Sequence, residues 1–215
     1  VDVEMSGSSV YTGSSSPMTI YTNTNDTLVT TTNFTPTSTG LHQIKFWATS
    51  DSFPTTDTIG RSTIVTDTIY GVDFDWGSDG ENAGSGYYLG RSCGGQVLGN
   101  VFDIYTDDTA TSISFHVHED SRFGALINVE LYELDPFTTQ SQIWLEGSDD
   151  YALTQNDIDS WVTVKLASPV SLLAGTTYLA AVRGFANPID TSLISSSSTD
   201  NTSSYVQDNG CDIGS

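Results

Sequence analysis

Thr111-Ser112-Ile113-Ser114-Phe115-His116-Val117-His118 alternates polar and apolar residues without a break. A period of two is the pattern of a half-buried β-strand. It predicts Ile113, Phe115 and Val117 facing a core and both imidazoles facing outward. Similar runs lie on either side. Val97 to Ile104 precedes it. Ala125 to Glu133 follows, with Ile127, Val129 and Leu131 on one face and Leu126 and Tyr132 on the other. Gln142-Ile143-Trp144-Leu145, Trp161 to Leu166 and Thr177 to Arg183 complete the set. The one helical signal is Thr154-Gln155-Asn156-Asp157-Ile158, where Thr154 can cap and Asp157 sits at the third position. Seven or eight strands with so little helix predict a jelly-roll type of β-sandwich.

Composition agrees. Thr, Val, Ile, Tyr and Phe are plentiful, while Lys, Glu, Ala and Leu are sparse. That is the strand-favouring set without the helix-favouring one, so the fold class is all-β. Hydrophobic residues make up 37% and aromatics 11%, enough to fill a core rather than leave the chain disordered. Asp supplies 21 of 27 acidic residues, against 6 Lys+Arg, for a net charge of −21. So acidic a chain has no basic footprint for nucleic acid and is repelled by an anionic membrane surface. No apolar run reaches the roughly 20 residues of a membrane helix. An Asp-rich surface favours solubility in salt water, with weak calcium binding as the other reading.

Upstream, residues 1–69 carry shorter alternating runs: Val1 to Met5, Thr27 to Thr30, Gly40 to Ala48 and Ser62 to Thr66. Leu41, Ile44 and Phe46 or Trp47 are the expected core residues of the third. These runs predict a first β-sandwich. Between Gly71 and Gly95 lie eight glycines with several acids and aromatics. That stretch reads as a loop, and the expected domains are 1–69 and 70–215, the second led in by the Gly/Asp-rich loop 71–95.

Phe34-Thr35-Pro36-Thr37 followed by Thr39-Gly40-Leu41-His42-Gln43-Ile44 resembles a strand pair of adhesion-type immunoglobulin-like domains. Ile64 to Tyr70 resembles the last strand of that domain. Leu98 to Ile104, with Ala174-Gly175-Thr176-Thr177-Tyr178, is similar to the paired signature of a jelly-roll module. Together they resemble modules of large surface and secreted proteins of Bacteroidota. The resemblance implies a partial immunoglobulin-like sandwich followed by a jelly roll, export by the type IX route, and a place outside the cell or on its surface. It carries no catalytic residue. It also implies that earlier strands precede Val1, which would leave an edge of the first sheet unpaired and open to a donated strand.

Several constellations bear on chemistry. Asp73, Asp75, Asp79 and Glu81 fall within nine residues of the Gly-rich loop; they are candidate calcium ligands, or else a solvated acidic linker. Trp76 in that loop and Tyr88 after it are candidate platforms for a glycan, whereas Trp47, Trp144 and Trp161 sit on strands as expected core. Cys93 and Cys211 form no zinc pattern. An oxidising address predicts one disulfide closing a loop of about 120 residues, worth up to ~4–5 kcal/mol; two free thiols are the alternative. Thr27, Thr58, Thr68 and Thr109 each follow Asp and precede an apolar residue, the O-glycan acceptor pattern the resemblance implies. Asn25, Asn33 and Asn201 open N-glycosylation sequons. No G-x-S-x-G, H-E-x-x-H or phosphate loop occurs, and no enzyme activity is expected. The expected function is a non-catalytic adhesive or architectural segment, whose partners are flanking domains, neighbouring subunits or glycans. The alternative is a calcium-dependent carbohydrate-binding module attached to a secreted hydrolase.

Overall fold

The structure is a computed structural model that describes residues 1–19, 21, 27–48, 58–72, 86–89, 95–135, 138–185, 192–195 and 204–208. Its regular secondary structure among the described residues is nearly all strand, in antiparallel sheets, as the composition predicts. The chain divides into two compact units, Val1–Asp75 and Trp76–Ser215.

The first unit holds β1 (Asp2–Gly7), β2 (Tyr11–Ser14), β3 (Gly40–Trp47) and β4 (Thr58–Val65). They form one antiparallel sheet in the order β2-β1-β3-β4. Register puts Val3 opposite Phe46, Met5 opposite Ile44 and Gly7 opposite His42. These residues share a face on which Val3, Met5 and His42 are buried. Phe34 covers that face, 5.2 Å from the Tyr11 ring and 6.2 Å from His42. His42 therefore takes the core position expected of Leu41, which is 50% exposed on the other face. The imidazole meets the Gly40 carbonyl through Nδ1 at 3.0 Å, while its Nε2 is buried without a partner. Gly7 has φ 108°, and a Cβ there would lie 2.3 Å from the Leu41 carbonyl oxygen. Only glycine lets β1 close on β3 at that point.

β1 lies between two hydrogen-bonded neighbours. β1 is therefore not an edge of the sheet. β2 is flanked by the chain itself: Thr30 bridges Ser15, and Thr31 N–H donates to the Ser14 carbonyl at 3.0 Å. β4 pairs with β3 alone among the described residues.

The second unit holds β5 (Gly86–Tyr88), β6 (Gln96–Asp103), β7 (Asp108–Val117), β8 (Leu126–Asp135), β9 (Thr138–Gly147), β10 (Tyr151–Ala152), β11 (Ser160–Leu172), β12 (Thr177–Gly184), β13 (Leu193–Ser195) and β14 (Ser204–Asp208). One sheet runs β10-β8-β12-β6-β14, with β9 also on β8; the other runs β11-β7-β13-β5. The two sheets form a β-sandwich, and the chain crosses between them repeatedly, with β8, β9 and β10 staying in one sheet. Phe115, Val117, Val162, Val164 and Leu166 of one sheet pack with Ile127, Val129, Leu131 and Val182 of the other in a single core. A 3-10 turn, Gln155–Asp157, stands where the capping pattern predicts. The Asp157 carboxylate accepts from Thr154 N–H at 2.7 Å and Thr154 Oγ1 at 2.8 Å.

The larger sheet also buries its second face. Val97, Tyr132, Leu134, Leu179 and Ala181 form a separate apolar cluster there. Glu130 sits in the same layer and accepts from Arg183 Nε at 2.8 Å and from the Tyr132 hydroxyl. Sequence alternation places Tyr132 on this face, but nothing in it shows that the face is covered.

Candidate binding surface

The face of the first sheet opposite Val3 and Met5 is polar. Register sets Asp2 beside Ser14 on one side and Trp47 on the other. It sets Glu4 beside Thr12 and Lys45 in the same way. Cross-strand neighbours on one face stand about 4.5–5.5 Å apart at Cβ, so two carboxylates, the Lys45 ammonium, two hydroxyls and an indole form one patch. Thr31 and Thr32, held beside β2, wall it on one side. Together they enclose an open cleft of about 580 Å³. Ser14 Oγ donates to Asp2 Oδ1 at 2.6 Å, and Thr31 Oγ1 donates to the Ser14 carbonyl at 3.1 Å. The Thr32 carbonyl accepts from the Tyr11 hydroxyl at 2.7 Å. The wall is thereby tied to both faces of β2. Glu4 and Thr12 are exposed, and Trp47 is half-buried.

This patch was not foreseen. Trp47 is not core, because its neighbour Phe46 takes the buried side of β3. The alternating run from Val1 to Met5 already carries Asp2 and Glu4 on one face. The signal missing from the sequence is the pairing that brings Trp47 and Ser14 to them.

The second exposed feature is β4. Its residues Thr58-Ile59-Gly60-Arg61-Ser62-Thr63-Ile64-Val65 contain no acid in a chain that carries 27. Ile59 is 57% exposed. Long, unbroken, proline-free edges invite a further strand.

In the second unit Phe115 and Val117 face the core as expected, but His116 and His118 on the opposite face are each only 5% exposed, where surface histidines were expected. β13 joins the end of β7 and Trp161 lies edge-on to His116 at 5.7 Å, so both sides of β7 are covered there. His116 Nδ1 meets Ser195 Oγ at 2.9 Å. His118 Nδ1 accepts from the Asp120 backbone N–H at 3.1 Å. The Asp120 carboxylate lies 3.7 Å from the same nitrogen. Both Nδ1 atoms thus serve to hold the strand ends. Among the described residues no three His, Cys, Asp or Glu side chains come together as a metal site.

The network on the covered face shifts its own titrations. Burial, then the hydrogen bond to Glu130, pushes Tyr132 up to about 12. Burial lowers the Arg183 value, but its bonds to Tyr132 and Glu130 outweigh this and raise it. Burial pushes Asp157 up, but the hydrogen bonds from the Thr154 N–H and hydroxyl and from the Tyr151 hydroxyl together outweigh it and hold it below the ordinary carboxylate value.

Of the other anticipated positions, Asp73, Asp75, Asp79, Glu81, Trp76, Cys93 and Cys211 lie outside the described residues, as do Asn25 and Asn201. Tyr88 closes β5 and pairs with Leu193. Thr27, Thr58, Thr68 and Thr109 are all exposed. Trp144, expected in the core, is 55% exposed on β9. Comparison with protein-family models, with curated proteins and with solved structures finds no match to this chain.

Proposed function

We propose that the chain is a non-catalytic adhesive or architectural segment that works outside the cell and joins neighbouring copies by strand addition. The observation that carries this reading is the outer edge of β4: eight residues, no acid, no proline, an exposed Ile59 and no second partner strand among the described residues. Main-chain hydrogen bonds supply the affinity in such a joint, and the side chains that alternate along the strand select the partner. Arg61 and, across from Gly60, Lys45 are two of only six cations in the chain. They relieve the repulsion that a net charge of −21 imposes on two copies everywhere else. The acidic, hydroxyl-rich composition and the exposed Thr27, Thr58, Thr68 and Thr109 support an extracellular, glycosylated surface protein. Calcium at Asp73, Asp75, Asp79 and Glu81 and a disulfide between Cys93 and Cys211 belong to the same proposal.

Sedimentation of the full chain over a range of concentrations, combined with amide hydrogen exchange, tests it. The expected result is association that strengthens with salt, as screening weakens the mutual repulsion, with the outer amides of β4 becoming protected. Ile59→Lys should abolish both. A chain that stays monomeric at every concentration, or one whose association survives Ile59→Lys, overturns the reading.

A further inference from the structure

We propose that the cleft over β1, β2 and β3 is a binding site for a neutral saccharide. Three features of the cleft select that chemistry. Its polar groups are dominated by acceptors: the Asp2 and Glu4 carboxylates accept from sugar hydroxyls, and Thr12 and Ser14 add hydroxyls of their own. Beside them Trp47 offers a flat, weakly polar surface, and an indole with an apolar body suits the C–H face of a pyranose ring. The volume, about 580 Å³, falls in the roughly 300–1,000 Å³ range of small-molecule sites. The charge excludes the other large class of sugars. Uronic and sialic acids would meet two carboxylates against the single Lys45 ammonium, within a chain of net charge −21.

Pre-organisation strengthens the case. Ser14 Oγ holds Asp2 Oδ1 at 2.6 Å, and Thr31 and Thr32 are fixed to β2 by backbone and hydroxyl bonds. A ligand therefore meets side chains whose positions are largely set before it arrives, which lowers the ordering cost of binding. The site lies on a different face and different strands from the outer edge of β4, and it stands independently of the strand-addition reading.

Affinity electrophoresis of the full chain through gels containing dextran, laminarin, xylan or galactomannan, with alginate and chitosan as charged counterparts, tests the assignment. Retardation is expected on at least one neutral polysaccharide and not on alginate. Trp47→Ala should weaken it about tenfold or more, and Trp47→Tyr should restore most of it. Should Trp47→Ala fail to fold, Glu4→Lys answers instead: Glu4 is exposed, so the sheet tolerates the change, and the long cation fills the cleft and abolishes retardation. Ile59→Lys should bind sugar as the parent chain does, and Glu4→Lys should self-associate as the parent chain does, so the two proposals fail separately. No retardation on any neutral polysaccharide, or retardation that both Trp47→Ala and Glu4→Lys leave unchanged, overturns the assignment. Retardation on chitosan alone also overturns it, and would make the carboxylate pair a cation site.

Discussion

The two units use the same antiparallel strands to different ends. In the first, described strands form one sheet with one buried face, a polar cleft on the other, and an edge strand paired on one side. In the second, two sheets share a core, and the larger sheet buries its outer face as well. Val129 and Leu179 mark the contrast, since both are fully buried on opposite faces of that sheet. Leu41 on β3, half-exposed, has no counterpart of that kind. A sheet covered on both sides is a scaffold. A sheet that, among the described residues, has an uncovered face and an unpaired edge has surface left with which to bind.

Truncation sharpens this contrast most. Leu179→Ala should destabilise the second unit by about 2–5 kcal/mol, because a fully buried leucine leaves a cavity. Leu41→Ala should cost the first unit less than ~1 kcal/mol. Urea titration of the full chain, followed by the near-ultraviolet signal, gives both values. Equal losses would break the distinction between a covered face and a bare one.

The Glu130 network gives the next largest effect. Glu130→Gln removes the charge facing Arg183, whose side chain is 32% exposed, so solvent softens the loss. The expected cost is about 1–3 kcal/mol, less than for a fully sealed pair, in the same titration.

Alkaline pH probes the same face. Tyr132 keeps its proton in the folded chain up to about 12, while an unfolded tyrosine loses it near 10. The folded state then binds the extra proton, so stability is intact below pH 10 and falls as pH rises toward 12. Tyr132→Phe should flatten that part of the curve. A slope unchanged by the substitution would show that the face is wet.

The smallest effect is at the 3-10 turn. Asp157 is held below its ordinary value by Thr154, so its contribution is present at neutral pH and is lost as pH falls below the ordinary carboxylate range. Thr154→Ala should cost about 0.5–1 kcal/mol at neutral pH and less in acid, by thermal melting at the two pH values.

Local patterns were legible. The strand at Phe115, the inward set Ile127, Val129 and Leu131, and the capped turn at Thr154 all follow from period and hydrogen-bonding chemistry over a few residues. The binding surface was not. Trp47 read as core because an aromatic residue on a strand usually is, and His116 and His118 read as surface because polar residues in an alternating run usually are. Each was decided by a neighbour far away in sequence: Asp2 and Ser14 for the indole, Trp161 and Ser195 for the imidazole of His116.

The sequence by itself determined that the chain is all-β, which residues lie on the same face of each strand, and that its surface is strongly acidic. These follow from a two-residue repeat and from composition, and neither depends on which strands meet. Only the tertiary structure decided that β1 is central and β4 an edge among the described strands, that the face carrying Glu130 and Tyr132 is covered, and that Asp2, Glu4 and Trp47 share a cleft. The reason is that strands pair through backbone groups which nearly every residue possesses. Alternation fixes the two faces of a strand, but it leaves open which strand lies alongside and what comes to rest on each face.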